Sequence, residues 1–262
     1  MAALQCNLES NELLTTPLID FGIYIQMPVY LVIVGNLKKN ETFWEDELEC
    51  SPYVLGIIKN GYRLPFKTKS SNFFAKNNAS SLRHKNFIED SIEDLLLQGC
   101  IEEDETMPYC CNPLTVAEGK NGYHHITIQE QDRTFLGFSW TYGNGLTKFY
   151  HFLVLPFGLA SACYVFTKVL KPLIKKWRKS GIKITLYLDH GILCARSYSL
   201  TKFQVSLVQN DLHNSGFIVY LKKSHLEPAQ IGTWLGFNID TTIMEFSEPK
   251  QKIIKLLHLF YI

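Results

Sequence analysis

The chain has 262 residues, of which 46% are hydrophobic and 13% aromatic, and this is enough apolar material to bury a core in one large domain or two small ones. With 19% charged residues and a mean hydropathy of −0.02, its composition excludes intrinsic disorder for most of its length. The longest apolar run, residues 17–34, is interrupted by Asp20, Gln26 and Pro28, so we expect no membrane span.

The N-terminal segment and the cysteines indicate the compartment. Residues 1–17 contain no basic residue and are not typical of a secretory or mitochondrial presequence, so we expect an intracellular protein, cytoplasmic or nuclear. The seven cysteines form no C-x-x-C pair, which argues against a disulfide framework or a zinc knuckle. We expect reduced and mostly buried thiols.

The formal net charge of +1 conceals a strong segregation of charge along the chain. Residues 89–105 hold eight acids and no base, whereas residues 133–188 hold nine bases and no acid. A basic block of this length in a nearly neutral protein is typical of a footprint for a polyanion, although basic surfaces that face only water are also common. Nucleic-acid binding is therefore one hypothesis among others.

Capping signals and hydrophobic periodicity predict a mixture of helices and antiparallel strands, which places the chain in the α+β class. In the first half they predict a strand over 28–34, a helix from the N-cap Ser51 to Asn60, and a helix from Ser80 or Ser81 to Gly99. In the second half they predict a β-hairpin over 133–142 and 147–155, a helix over 159–179 kinked at Pro172, strands over 182–188 and 191–195, a helix over 200–214, and strands over 217–221 and 233–239.

Five short sequence phrases follow one another in a fixed order, and each is weak by itself. An Asp at a hairpin tip, such as Asp189, is usually a turn former, and a bend before a helix is usually a loop with a glycine. The phrases are NGYHHI at 121–126, FLGF at 135–138, LPFGL at 155–159, YLDH at 187–190 and WLGF at 234–237. In this order they closely resemble the reverse transcriptase domain of retrotransposons. Residues 149–152, 166–170 and 177–178 resemble the DIRS-type elements, which use a tyrosine recombinase.

The resemblance extends from about Gly35 to the C-terminus and implies a right-hand polymerase fold of the α+β class. It implies fingers over 36–120, a palm with an antiparallel sheet over 121–240, and only the start of a truncated thumb over 241–262. Residues 1–35 form an N-terminal extension with no assignment. Because the palm must bring its acidic residues together, we expect the hairpin 183–195 to share one sheet with a strand over 123–128.

The resemblance also implies a metal-dependent reaction, in which two Mg²⁺ ions assist attack of a primer 3′-hydroxyl on an incoming nucleotide. The family holds Mg²⁺ with one Asp at the end of a palm strand and an Asp pair at a neighbouring hairpin tip. Asp189 matches the first Asp of the pair, but His190 stands at the second, and imidazole is a poor partner for Mg²⁺. Glu118 stands five residues before Tyr123, where the first Asp belongs, and its surroundings over 112–120 look like a fingers strand. We infer an internal deletion, with Asp189 and Glu118 as candidate metal ligands and these two plus His190 as candidate catalytic residues.

Binding roles follow from the same resemblance. Tyr123 resembles the aromatic residue that crowds the sugar 2′ position, and Phe157 and Gly158 belong to the motif beside the nucleotide base, although a simple strand-to-helix corner is the alternative. The residues at 234–236 resemble the hairpin that positions the primer end, and the basic block adds contacts to phosphates. The candidate primer–template residues are Trp234, Leu235, Gly236, Lys168, Lys171, Lys175 and Arg178.

Three functional hypotheses stay open. The first is an RNA-directed DNA polymerase that uses Mg²⁺, deoxynucleoside triphosphates and an RNA or DNA primer–template, beside ribonuclease H and recombinase modules if it is part of a polyprotein. The second is a non-catalytic remnant that at most binds nucleic acid, and the third is an unrelated α+β scaffold protein. Because a working site needs three carboxylates and only Asp189 is unaltered, we expect the chain to be inactive as it stands.

Overall fold

The computed structural model describes residues 21–26, 32–66, 68, 71–116, 121–221 and 224–260. Its α-helices are α1 (Asn36–Lys39), α2 (Glu41–Asp46), α3 (Pro52–Asn60), α4 (Ala79–Arg83), α5 (Lys85–Leu97), α6 (Glu130–Arg133), α7 (Ala162–Lys179), α8 (Tyr198–Asn214) and α9 (Lys250–Phe260), with short 3₁₀ helices at Asn121–His125 and Thr134–Leu136. None of the helices in the described part of the chain is both long and apolar enough to cross a bilayer.

The strands form three sheets. They are β1 (Phe21–Gln26), β2 (Phe73–Phe74), β3 (Ile101–Asp104), β4 (Cys110–Asn112), β5 (Gly137–Thr141), β6 (Thr147–Phe152), β7 (Lys183–Tyr187), β8 (His190–Ala195), β9 (His225–Ala229), β10 (Ile231–Trp234), β11 (Phe237–Asp240) and β12 (Glu245–Ser247). The hairpin sheet has the order β7-β8-β1-β9, the five-stranded sheet β2-β4-β5-β6-β3, and the C-terminal sheet β10-β11-β12. Helices and largely antiparallel strands confirm the expected α+β class.

The structure confirms the elements that were predicted from local sequence features, such as a helix cap or a turn glycine. Ser51 caps α3 by accepting a hydrogen bond from the Val54 backbone N–H at 3.3 Å. The hairpin β5-β6 turns through Gly145, whose φ of 82° needs a residue without a Cβ, and whose N–H donates to the Tyr142 carbonyl at 2.9 Å. Helices α7 and α8 and the hairpin β7-β8 also form close to the expected bounds.

Helix α7 is the centre of the main core. Its buried side, which includes Phe166, Leu173 and Trp177, packs under the hairpin sheet and against α3 and α8. Pro172 lies inside the helix and is itself buried. The Trp44 indole donates to the Ser215 carbonyl at 2.8 Å, which ties α2 to the end of α8. Residues far apart in sequence thus converge on one core.

Several expectations about regular elements were wrong in part or in full. The strand expected over 233–239 is interrupted by a turn at Leu235 and Gly236, which separates β10 from β11. The helix expected from Ser80 to Gly99 is two helices, α4 and α5, because His84 between them has φ −114° and ψ 49°, outside the helical region. Residues 217–220 form no strand; instead Phe217 is buried, with ring contacts to Trp44, His125 and Phe166. Residues 32–34 are not a strand either, while 28–31 lie outside the described residues.

The neighbours of the hairpin β7-β8 differ from the expectation. Residues 121–125 form a 3₁₀ helix, and Thr127 and Ile128 make only isolated bridges, so no strand over 123–128 joins the hairpin sheet. Strand β1 takes a place in that sheet instead, antiparallel to β8 over six residue pairs. Part of the N-terminal segment that has no assignment from the sequence therefore belongs to the same sheet as Asp189's hairpin.

Candidate active site

The hairpin β7-β8 holds Asp189 at its tip. Tyr187 pairs with His190, which leaves Leu188 and Asp189 as a two-residue turn, and Leu188 has φ 54° in the left-handed region. A left-handed leucine costs on the order of 1 kcal/mol, which the flanking strand pairs must offset. The turn therefore holds Asp189 in one position at the cost of local strain.

The Asp189 carboxylate is buried and only partly satisfied. It is 2% exposed, and its Oδ1 lies 3.7 Å from the His190 Nδ1. Its Oδ2 has no hydrogen-bond partner among the described residues. Burial of a carboxylate oxygen without a partner is unfavourable. Such an oxygen can bind a cation, or it can accept a hydrogen bond from a water molecule or from a donor group of a ligand.

Gly122 brings the 3₁₀ helix against the hairpin tip. A Cβ on Gly122 would lie 3.2 Å from the Asp189 Cβ and 3.2 Å from the Phe166 Cζ, which is tighter than ordinary van der Waals contact. The absence of a side chain thus permits the close approach of the two segments. The expected proximity of Asp189 to the segment around Tyr123 is achieved, although through a helical turn and not through a strand.

Tyr123 lies in an aromatic cluster next to this approach. Its ring stacks on Phe157, with centroids 6.0 Å apart and an interplanar angle of 22°, and meets the edge of Phe166 at 5.2 Å. Its hydroxyl is 3.1 Å from the Cys163 Sγ on α7. Burial, and then the contact with Cys163, raises the pKa of Tyr123, with a smaller contribution from the negative charge of Asp189. Tyr123 therefore stays neutral at physiological pH.

Phe157 and Gly158 form the bend that leads into α7. Phe157 is 50% exposed and presents a ring face over Tyr123. Gly158 has φ 91°, a conformation that L-residues with a side chain rarely adopt. The bend places an exposed aromatic ring beside Tyr123, as a surface on which a planar group can stack.

His124 and His125 are structural. Both are buried in the 3₁₀ helix, where desolvation lowers the pKa of each to about 4. The His125 Nδ1–H donates to the Gly122 carbonyl at 3.1 Å, and its Nε2 accepts from the Ile218 N–H at 3.4 Å. This pairing leaves His125 no free nitrogen for a metal.

The hairpin β10-β11 carries Trp234, Leu235 and Gly236. Leu235 and Gly236 form the turn with φ of 49° and 79°. The Gly236 carbonyl accepts from the Lys252 Nζ of α9 at 2.9 Å, and the same ammonium lies 5.2 Å from the centre of the Phe237 ring. A turn that the family uses toward the primer is thus already in contact with α9.

Half of the six basic residues of α7 form ion pairs with acidic residues of the chain. Lys175 donates to Glu49 at 2.6 Å, Lys179 pairs with the same carboxylate, and these two lysines lower the pKa of Glu49 to about 2. Lys176 pairs with Asp211 at 3.1 Å. These ion pairs lessen the positive potential that the basic block was expected to offer.

The other cations of α7 are placed differently. Arg178 donates to the Ile184 carbonyl at 3.1 and 3.2 Å, so its guanidinium is engaged with backbone. Lys168 is half-buried and lies over the Tyr164 ring at 5.1 Å, whereas Lys171 is exposed. Lys168 and Lys171 are therefore the members of the expected set that are best placed to meet phosphates.

The described residues do not fit the two-metal site of the family. In the part of the chain that the structure describes, no three His, Cys, Asp or Glu side chains converge closely enough to hold a metal ion. Asp189 is the single carboxylate at the hairpin tip, and His190 offers nitrogen where Mg²⁺ prefers oxygen. Glu118 lies outside the described residues, so its role as a ligand stays a prediction.

Sequence reasoning missed two residues of this site. Cys163 contacts the Tyr123 hydroxyl, and Phe166 packs on both Tyr123 and Gly122. Phe166 has helical spacing with Leu170 and Leu173, which predicted burial but not its neighbour across the site. Nothing in the sequence around Cys163 indicates its partner, which lies 40 residues away.

A bent strand-to-helix motif, an acidic hairpin tip and a close-packed aromatic residue between them are the features that the resemblance to a reverse transcriptase predicts for a polymerase palm. A family model described as reverse transcriptase (RNA-dependent DNA polymerase) matches residues 71–239. The chain belongs to the reverse transcriptase family.

Two similar proteins agree with this assignment. The chain is 28% identical over 137 residues to the retrovirus-related Pol polyprotein from transposon opus of Drosophila melanogaster, a match that covers 52% of this chain and 13% of that protein. A solved foamy viral protease–reverse transcriptase in complex with double-stranded DNA has a similar fold, with a TM-score of 0.58 and 17% identity over 86% of this chain and 58% of the other. The chain thus spans a fraction of the length of both, and it is a reverse transcriptase domain of a retroelement.

Proposed function

We propose that this reverse transcriptase domain does not polymerise DNA as it stands, and that it is a degenerate member of the DIRS type. The observation that carries the first part is the hairpin tip, where Asp189 is followed by His190 and no further carboxylate converges among the described residues. The phrases at 149–152, 166–170 and 177–178 support the DIRS-type origin.

Phosphoryl transfer tolerates little change in such a site. Misplacing a reacting group by about 1 Å can cost on the order of a hundredfold in rate. The loss of charge at His190 also removes a ligand that would hold Mg²⁺ close to the primer hydroxyl and the triphosphate. A misplaced first carboxylate and a missing ligand at His190 would act on the same metal ions, so their effects compound. Mg²⁺ binding at the hairpin tip is therefore expected to be weak.

A primer-extension assay tests the proposal. The chain is incubated with deoxynucleoside triphosphates, Mg²⁺ or Mn²⁺, and a labelled primer on an RNA or a DNA template, and we expect no extension above the level of Asp189→Asn. His190→Asp alone is expected to give no rescue, because the first carboxylate is still altered. Extension by the unmodified chain that Asp189→Asn abolishes would contradict the proposal.

Residual nucleic-acid binding is a second candidate function. Lys168 and Lys171 on α7 and the exposed ring of Phe157 favour it, since phosphates and stacked bases are the groups that such side chains bind. Fluorescence anisotropy with a labelled primer–template is expected to show weak binding that falls with salt. Binding that does not depend on salt, or none at low salt, would reject this role.

A further inference from the structure

Strand β1 is separated in sequence from every other strand of the hairpin sheet, yet it lies in the interior of that sheet. It pairs with β8 through six residues, from Phe21 opposite Ala195 to Gln26 opposite His190. On its other side it pairs with β9. Without β1, the backbone groups of β8 and β9 that face it would lose their partners.

The described residues shortly before Tyr123 are committed elsewhere, so they do not supply a strand at this place. Strand β4 is committed to the five-stranded sheet, where it pairs with β2 and β5. The residues that follow β4 are held near the same sheet: the Leu114 N–H donates to the Asn77 side chain at 2.9 Å, and the Val116 N–H donates to the Ser80 hydroxyl at 3.3 Å. Only four residues separate Val116 from Asn121, where the helical turn begins, and that is too few to cross to another sheet and supply a strand there.

We infer that β1 takes the place of the missing palm strand, and that the residue at the end of this strand, where the family has the first metal-binding Asp, is Gln26. Strand β1 is antiparallel to β8 and therefore runs in the direction of β7, toward the hairpin tip. Its last residue, Gln26, stands opposite His190, next to Asp189. The family's first Asp lies at the end of a palm strand beside this tip, and the sequence of β1, FGIYIQ, contains no acid.

The replacement of the palm strand by β1 explains how the fold survives the loss of the catalytic strand. Strand pairing uses backbone groups, so a segment of suitable length and β-propensity can complete the sheet whatever its side chains. Metal binding depends on the side chain at one position and is weakened when that residue is a neutral amide in place of a charged carboxylate. This inference rests on the proposed function for its metal-site part, whereas the placement of β1 can be tested without it.

The placement is tested with a disulfide. Gly22 is directly opposite Cys194, and the Cα atoms of opposite residues in an antiparallel pair lie within the range that a disulfide spans. Gly22→Cys is expected to form a bond to Cys194 under mild oxidation, identified by peptide mass mapping and abolished by Cys194→Ser. Ile23→Cys is the control, because successive strand residues face opposite sides of the sheet. Failure of a folded Gly22→Cys variant to cross-link, with fast exchange over β1, would overturn the placement.

Hydrogen exchange of the unmodified chain gives a second, independent reading. The backbone amides of an interior strand are expected to exchange much more slowly than those of an unstructured segment. Slow exchange over residues 22–26 supports the placement even if Gly22→Cys impairs folding. Exchange at the unstructured rate over these residues would overturn it.

The metal-site part is tested by direct binding of Mn²⁺, followed by electron paramagnetic resonance. We expect the double variant Gln26→Asp with His190→Asp to bind Mn²⁺ at least tenfold more tightly than the unmodified chain, and each single variant to gain less. Adding Asp189→Asn to the double variant should remove the gain, and Glu118→Gln measures any share of Glu118. No gain in the double variant, or tight binding by the unmodified chain, would overturn this part.

The two proposals fail in distinguishable ways. Primer extension by the unmodified chain would contradict the proposed loss of activity, but it would leave the cross-link at Gly22 and the exchange pattern of β1 unaffected. A missing cross-link together with fast exchange would remove β1 from the sheet without any consequence for the extension assay. The binding of Mn²⁺ is measured without turnover, so its result can be interpreted whatever the outcome of the extension assay.

Discussion

The two halves of the candidate site differ in how far folding depends on them. The aromatic half, Tyr123, Phe157 and Phe166, is continuous with the main core, because Phe166 is fully buried and contacts both Tyr123 and Phe217. The carboxylate half, Asp189 with His190 and the end of β1, contains a buried oxygen with no partner in the described part of the chain. Residues that stabilise the fold persist when activity is lost, whereas a buried carboxylate that serves only catalysis has no folding role to retain it.

The largest expected effect is that of acid on the 3₁₀ helix that carries Tyr123 of the aromatic half. His124 and His125 have pKa values of about 4 when folded, against 6.5 for the ordinary side chain, so the unfolded chain binds more protons between these values. The free energy of unfolding is therefore expected to fall as pH decreases from about 6.5 to about 4, by on the order of 3 kcal/mol for each histidine.

Denaturant unfolding at a series of pH values between 7 and 4 measures this loss. His124→Phe is the matched variant, because the His124 Nδ1 has no partner in the described residues and an apolar ring suits its surroundings. It should reduce the pH dependence by about half. Equal stability at both ends of the series would show that the segment is not part of the core.

The second effect compares one residue from each half. Phe166→Ala removes a fully buried ring and is expected to cost about 3–5 kcal/mol. Asp189→Asn replaces a buried carboxylate by an amide and is expected to leave the free energy of unfolding unchanged or to raise it by about 1 kcal/mol. A large loss in Asp189→Asn would erase the difference between the halves.

A smaller effect is expected where the halves meet. Gly122→Ala would place a Cβ 3.2 Å from both Asp189 and Phe166, so one of these neighbours must shift, at a cost of about 1–3 kcal/mol. Gly143→Ala is the control, since a Cβ there meets nothing within 4 Å, and it should change stability by less than about 0.5 kcal/mol. Equal melting temperatures for the two variants would mean that the 3₁₀ helix packs less closely against the hairpin tip than it does in the structure.

The smallest effect concerns the two lysines of α7 that pair with Glu49. Glu49→Gln frees Lys175 and Lys179, so duplex DNA binding should strengthen and the slope of log affinity against log salt should steepen by up to about 2. Glu130→Gln makes the same charge change outside α7 and its ion pairs and should leave the slope unchanged. Identical slopes in the two variants would indicate that α7 faces away from the nucleic acid.

The sequence by itself was sufficient for the elements that depend on neighbours within one or two turns. The cap at Ser51, the turn at Gly145 and the periodic apolar side of α7 all predicted structure that the fold confirms. The family phrases also indicated Tyr123, Phe157 and Asp189 as one group, and the structure brings these three residues together around Gly122.

Tertiary structure alone decided which strand completes the sheet beside Asp189 and which acids meet the basic helix. Strand β1 pairs with residues far along the chain, and Glu49 reaches Lys175 across 126 residues. No local pattern specifies such partners, because sheet register and ion pairing depend on which surfaces remain unpaired once the core has formed. The 3₁₀ turn at Tyr123 likewise stands where a strand was expected, and the nearest described residues before it, up to Val116, bond to Asn77 and Ser80.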